Sequence, residues 1–180
     1  VKTSNGTTCP ADAVIIATGG YSYQTTGSTG DGYRFAKKSG HTIAPLSPSL
    51  VPMTVKEDYC MQMQGLSLKN VEVKIKDGKK VLFEEFGEML FTHFGVSGPL
   101  ILSASSVVDD KIRKKELAME IDLKPALSEE KLDARILRDF EENKNRQFKN
   151  VLSGLLPAKM ISVMVSLSAV SYTHLRAHET

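Results

Sequence analysis

The chain has 180 residues, 41% of them hydrophobic and 24% charged, with 13 Gly and 7 Pro. That balance suits one globular domain, or parts of two, and excludes a disordered tail. A formal net charge of +2 is too even to carry the electrostatic footprint of a nucleic-acid binder, and nowhere are there the roughly 18 consecutive apolar residues of a transmembrane helix.

The sequence opens on Val1-Lys2-Thr3-Ser4-Asn5, with neither Met nor a signal-peptide core. It is expected to be an interior piece of a longer protein. Cys9 and Cys60 make neither a disulfide framework nor a four-ligand zinc site, so a reducing cytoplasm is the expected compartment. Asp12-Ala13-Val14-Ile15-Ile16-Ala17 is a short apolar run rich in β-branched residues, bounded by Cys9-Pro10 and Gly19-Gly20. It predicts a buried parallel strand that ends in a tight backbone turn. A loop of Ser, Thr and Gly leads to a short predicted helix over 31–38. Asp31 suits its N-cap, Lys37 and Lys38 suit its C-terminal dipole, and Gly40 suits C′.

Prolines at 45, 48 and 52 predict an extended, irregular path from His41 to Val55. Val71 to Lys76 then alternates apolar and charged, Asp77-Gly78 follows, and Lys79 to Glu85 reads as the return strand of a hairpin. Glu88 to Thr92 and Leu117 to Leu123 read as further strands, giving a small antiparallel sheet or barrel with one wet face. Gly98-Pro99 opens a predicted helix over 100–108, with Pro in its first turn. Ser128 caps another, with Glu129 and Glu130 in the first turn and Leu132, Ile136 and Phe140 as the buried stripe. A last helix starts at Ala158, after Leu155-Leu156-Pro157. The end, Val170 to Thr180 (VSYTHLRAHET), reads as the in-frame translation of a transposon-type sequencing adapter, and Ala169 fits the same frame. It is set aside as non-native, together with His174 and His178, whose spacing would otherwise suggest a metal pair.

Two motifs carry chemistry. Ala17-Thr18-Gly19-Gly20 at a strand end lets backbone approach a cofactor closely, because Cβ atoms are excluded where the strand's carboxyl end faces a ligand crevice. Ser28-Thr29-Gly30-Asp31-Gly32 places hydroxyls, free N–H groups and a helix start in one loop, suited to a phosphate, a ribose or the carbonyl edge of a flavin. A common strand-Gly-Gly turn is the alternative for the first, and a plain Gly-rich loop with a helix cap is the alternative for the second. In Phe91-Thr92-His93-Phe94-Gly95-Val96-Ser97-Gly98-Pro99, His93 is either a general acid or a structural residue held between two aromatics. Cys60 lacks an activator nearby and reads as a packing residue. The basic run Lys111 to Lys115 reads as a surface turn, with contact to RNA phosphates as the alternative.

Taken together, ATGG, GSTGDGY, LSLKNV and FTHFGVSGP resemble the BaiN/RdsA-like NAD(P)/FAD-dependent oxidoreductases, which include proteins described as aminoacetone-oxidase-family FAD-binding enzymes. The resemblance covers residues 1 to about 168. It implies an α/β plus β-barrel fold: a Rossmann-type FAD-binding domain, interrupted by an inserted β-barrel that carries a helical subdomain. Residues 1–45 would belong to the first FAD-binding segment, 46–125 to the barrel and 126–168 to the helical part, with 169–180 as the adapter-derived tail. It implies FAD near Ala17, Thr18, Gly19, Gly20, Ser28, Thr29, Gly30, Asp31 and Gly32, and NAD(P)H as the electron donor. Reduction of a C=C bond needs a proton donor, for which His93 and Tyr21 are the candidates. Implied substrates range from steroid-like enones and a small amino ketone to a uracil base in ribosomal RNA. A related oxidase reaction, a noncatalytic binding barrel and an RNA-directed flavin reductase acting on a uracil base are the alternatives. The sequence contains neither an amino-terminal G-x-G-x-x-G element nor a Gly-rich carboxyl-terminal segment. By itself, then, the chain is expected to hold FAD poorly and to be inactive.

Overall fold

The computed structural model describes residues 1–168. The chain forms two compact units, Val1–Leu46 and the remainder from Ser47.

In the first unit, Thr3 to Thr7 makes a tight turn, with Thr3 N–H donating to Thr7 C=O at 2.9 Å and Lys2 bridged to Thr8. Helix α1 (Asp31–Lys38) forms where the sequence predicts one. Its end is a Schellman motif: Gly40, at φ 88°, donates to Lys37 C=O at 3.1 Å, and His41 N–H donates to Ala36 C=O at 3.0 Å. Its start differs from expectation. Gly30, at φ 78°, is the N-cap and Asp31 is the first helical residue, with no side chain capping the turn. Asp31 instead pairs with Arg34, one turn on.

The strand expected over 12–17 does not form. Val14, Ile15 and Ile16 are 60%, 90% and 48% exposed, and nothing in the unit pairs with their backbone. A parallel strand is held by neighbours on both sides, and the described residues of this unit supply none.

The second unit is built on a curled five-stranded antiparallel sheet, a half-barrel. Its strands are β1 (Met53–Thr54), β2 (Ser67–Asp77), β3 (Lys80–Phe91), β4 (Gly95–Ser97) and β5 (Ala118–Asp122), in the order β1-β4-β3-β2-β5. The expected Asp-Gly hairpin joins β2 to β3, with Gly78 at φ 58°. Both strands run further than the alternation alone suggested. The expected strand at 88–92 is the far end of β3, and β2 begins upstream of Val71 through a bulge at Lys69-Asn70, where Asn70 takes φ 56°. The extra residue keeps Leu68 and Val71 on one buried face although they are three apart.

Val71, Val73 and Ile75 point inward. Glu72, Lys74 and Lys76 form the wetter face, where Lys74 lies 2.9 Å from both Glu72 and Glu84 and Lys76 lies 2.6 Å from Glu120. Those two carboxylates, hydrogen-bonded to the ammonium, hold the Lys74 pKa above its ordinary value.

Glycine at two points in β3–β4 is a steric requirement. A Cβ on Gly95 would stand 2.2 Å from the Met53 carbonyl oxygen, and one on Gly98, at φ 95°, would stand 3.0 Å from the Met89 Cα. Pro99 then occupies the first turn of helix α3 (Pro99–Ile112), as expected. Leu100, Ile101, Ala104, Ser105 and Val108 make its buried stripe. The Ser105 hydroxyl donates to Leu102 C=O at 2.7 Å and accepts from Val51 N–H at 2.9 Å, which fastens the proline-broken segment to the helix.

Helix α2 (Tyr59–Gln62) carries Cys60 into the core, at 6% exposure. Burial, with the nearby Glu57 carboxylate, pushes the Cys60 thiol up. After β5, Ser128 caps α4 (Glu129–Glu142) through Lys131 N–H at 3.4 Å, as expected, although Leu132, Ile136 and Phe140 are only half-buried. Helices α5 (Phe148–Val151) and α6 (Ala158–Leu167) follow, and α6 adds Met160 and Val163 to the core under the sheet. No helix among the described residues is long and apolar enough to cross a membrane. The adapter-like tail, with His174 and His178, lies outside the described residues.

Two outcomes are expected. Gly95→Ala should cost about 2–3 kcal/mol in urea unfolding, because the clash is with backbone; a change under about 0.5 kcal/mol would contradict the close approach. In the folded chain, a thiol reagent should label exposed Cys9 and leave Cys60 unmodified until denaturant is added.

Candidate functional site

The first unit brings the two glycine motifs together. A Cβ built on Gly32 would stand 2.6 Å from the Thr18 hydroxyl oxygen, and one on Gly19 would stand 3.1 Å from the Ser28 hydroxyl oxygen. A Cβ on Gly30 would meet the Tyr21 ring at 2.6 Å, and one on Gly20 lies 3.8 Å from the Tyr33 hydroxyl. Each loop thus sets side chains against the other's glycines, and 17–21 lies along 28–33. Gly19 at φ 72° and Gly30 at φ 78° also adopt backbone that L side chains rarely take.

The result is an accessible main-chain surface. Ala17, Thr18, Gly19, Gly20 and Thr29 are exposed, Ser28, Asp31 and Gly32 are half-buried, and only Gly30 is buried. Gly30 offers no capping side chain, so the Asp31 and Gly32 N–H groups have no acceptor among the described residues, while Tyr33 N–H donates to Gly30 C=O at 3.2 Å. The Arg34 guanidinium hydrogen-bonds Asp31 and holds its carboxyl below the usual carboxylate range, with a smaller contribution from the Thr29 hydroxyl. An ionised Asp31 opposes a phosphate at this spot and suits a hydroxyl or an N–H. Tyr21 is 56% exposed, with its ring beside Gly30. Sequence reasoning passed over Tyr33, whose half-buried side chain faces Gly20 one turn into α1. The signal was present in G-D-G-Y, where a large residue follows two glycines.

His93 belongs to the second unit, at the tip between β3 and β4. The tip is closed by Thr92 N–H donating to Gly95 C=O at 2.8 Å. The His93 side chain is exposed, edge-on to Phe94 with ring centroids 4.8 Å apart. Most of the surrounding motif builds the fold: Phe91 and Val96 are buried, Gly95 and Gly98 are close approaches, and Pro99 starts α3.

The basic run spans the last residues of α3 and the surface turn that follows it. Lys115 lies 2.6 Å from Asp77, Arg113 lies 2.8 Å from Asp109, and Lys111 lies 4.0 Å from Asp77. The second unit also holds a cleft of about 900 Å³ at the open side of the half-barrel, lined by both edge strands, the turn before β5 and α6.

Residues 47–179 match the family described as the HI0933-like protein barrel and H2TH domain. Relatives are similar over nearly the whole chain. A 3-dehydro-bile acid delta(4,6)-reductase of Clostridium scindens is 29% identical over 93% of this chain and 41% of its own length. Ribosomal RNA dihydrouridine synthases of Escherichia coli and Haemophilus influenzae are 29% and 30% identical, over 92% of this chain and 39% of theirs. The chain therefore spans about two fifths of the length of these relatives. They agree with the BaiN/RdsA-like resemblance carried by ATGG, GSTGDGY and FTHFGVSGP. With the family matched across the whole sheet-and-helix unit, the chain belongs to the HI0933-like barrel and H2TH domain family.

Proposed function

We propose that the intact protein is an FAD-dependent oxidoreductase that takes hydride from NAD(P)H and reduces a C=C bond of an unsaturated acceptor. The observation that carries this reading is the packing of 17–21 along 28–33, a cradle whose two loops meet too closely to admit Cβ atoms at Gly30 and Gly32. That cradle, bordered by the free N–H groups of α1, fits the carbonyl or hydroxyl edge of a flavin nucleotide. Asp31, kept ionised, accepts from a sugar hydroxyl or a ring N–H. Given sheet neighbours on both sides, Asp12 to Ala17 would become the strand whose carboxyl end carries the cradle. The apolar surface of Val14, Ile15 and Ile16 is what such a strand buries between neighbours.

When bound, FAD supplies the two-electron carrier between nicotinamide and acceptor. Hydride reaches one carbon of the double bond, and the other carbon needs a proton from an acid held nearby. Tyr21 is the preferred donor, because its ring already lies against Gly30 within the cradle; His93 is the alternative. The acceptor is a small molecule or a nucleobase, as the names of the relatives suggest. The ion pairs of Lys111, Arg113 and Lys115 favour the small molecule, since those cations already face carboxylates. Cys9 and Cys60, both free thiols, fit a reducing cytoplasm.

The test uses the full-length protein that carries these residues. It should show visible flavin absorbance and consume NAD(P)H when given an enone. Gly32→Val should weaken flavin binding at least about tenfold by pushing Thr18 away and parting the two loops of the cradle. Tyr21→Phe should keep the flavin and lower turnover by about 10²–10⁴. Turnover unchanged in Tyr21→Phe would move the proton-donor role to His93, to be checked with His93→Ala. A colourless full-length protein would overturn the reading in favour of a noncatalytic binding barrel.

A further inference from the structure

We infer that the Tyr33 hydroxyl is a ligand contact of the glycine cradle, a hydrogen-bond donor that a bound flavin nucleotide reaches over Gly20. The inference rests on the flavin reading and names the side chain that holds the nucleotide from the α1 side.

Of the glycines at 19, 20, 30 and 32, the fold accounts for all but one. Gly19 and Gly30 take φ 72° and 78°, and Cβ atoms on Gly30 and Gly32 would stand 2.6 Å from the Tyr21 ring and from the Thr18 hydroxyl oxygen. Gly20 is different. Its backbone lies outside the left-handed region. A Cβ there would meet, beyond the adjoining residues, only the Tyr33 hydroxyl among the described residues, at 3.8 Å, an ordinary van der Waals distance. Alanine therefore fits at position 20 as far as the chain itself is concerned. What the missing methyl leaves is an open approach to the Tyr33 oxygen.

That oxygen is uncommitted. The Tyr33 side chain starts on α1, passes Gly30 with its ring edge 3.5 Å from where a Cβ would stand, and ends at exposed Gly20. The side chain is half-buried against both loops. Its hydroxyl makes no hydrogen bond among the described residues and is not a buried orphan, so it stays open to solvent. A phenol with its ring packed and its O–H turned to an exposed main-chain surface keeps a donor for a partner from outside the chain. A flavin nucleotide offers acceptors of the right kind in its ring carbonyls, ring nitrogens and phosphate oxygens.

The test uses the full-length protein, stripped of flavin and titrated with FAD, with flavin fluorescence as the readout. Tyr33→Phe keeps the ring and removes the hydroxyl, whereas Gly20→Ala covers the hydroxyl with a methyl group. Each should weaken FAD binding about threefold to tenfold. Melting of the flavin-free protein should stay level in Tyr33→Phe and stay level or rise in Gly20→Ala. Tyr33→Phe should add nothing in the Gly20→Ala background, because both changes remove one and the same contact. Wild-type affinity in either single variant, or losses that multiply in the double variant, would overturn the inference and leave the flavin reading standing. Lowered melting of flavin-free Gly20→Ala would also overturn it, by giving Gly20 a structural role. A full-length protein that takes up no FAD overturns the flavin reading itself, and this inference with it.

Discussion

Main chain lying closer to its neighbour than a Cβ tolerates is the constraint on which both compact units depend. In the half-barrel it occurs where β4 turns back between β1 and β3, with Gly95 against the Met53 carbonyl and Gly98 against Met89. Without those approaches the two-residue strand β1 has no partner and α3 does not start over the sheet. In the first unit the same device works on loops. There it yields a surface rather than a core: packing 17–21 along 28–33 leaves peptide groups and hydroxyls exposed. Glycine is thus structural in one unit and a candidate ligand surface in the other, and the difference lies in what stands opposite. Buried backbone faces Gly95 and Gly98. Polar side chains, Thr18 and Ser28, face Gly32 and Gly19.

The curled sheet divides its chemistry cleanly by face. Inward residues of β2 share one core with those of α3 and α6, while Lys74 and Lys76 bind the wet face together through carboxylates on β2, β3 and β5. These pairs are partly exposed and individually weak, so they serve register more than stability. A one-residue slip would turn the valines outward and, in one direction, set Glu72 opposite Glu85. The curl leaves β1 and β5 as edges, and the cleft opens between them. Such an edge is normally covered, charged or kept short. Here β1 has two residues and a charged turn precedes β5, which is consistent with an opening kept free.

Legibility in the sequence followed the range of the interactions. The hairpin, the Ser128 cap, the proline start of α3 and the Gly40 end of α1 are set by residues within a few positions of one another, and all were readable. The bulge at Lys69-Asn70 was not, because nothing nearby marks it. It exists so that Leu68 and Val71 share a face against partners on β3 and α3. Asp31 reads as a cap on local grounds, yet Gly30 takes the position because the Tyr21 and Tyr33 rings crowd the place a side chain there would need. Residues 12–17 show the opposite failure. Their composition reads as a strand, but strand structure belongs to a pair or a sheet, and β-branched residues alone do not create a ladder. The cradle was half legible: both motifs stood out, while their contact through Tyr21, Tyr33, Thr18 and Ser28 is tertiary.

The same division bears on how far the long motif at 91–99 speaks for chemistry. Phe91, Gly95, Val96, Gly98 and Pro99 are each accounted for by burial, close approach or the start of α3. A family signature at this place therefore reports the half-barrel before it reports a reaction. What the fold leaves unexplained is the tip, Thr92-His93-Phe94. Thr92 spends its backbone on closing the turn and its hydroxyl accepts from Phe94 N–H at 3.4 Å. His93 and Phe94 project side chains that nothing in the core requires, with the Phe94 ring edge-on to the imidazole. That exposure leaves the His93 imidazole open to a ligand, in keeping with its place as the alternative proton donor in the proposed function.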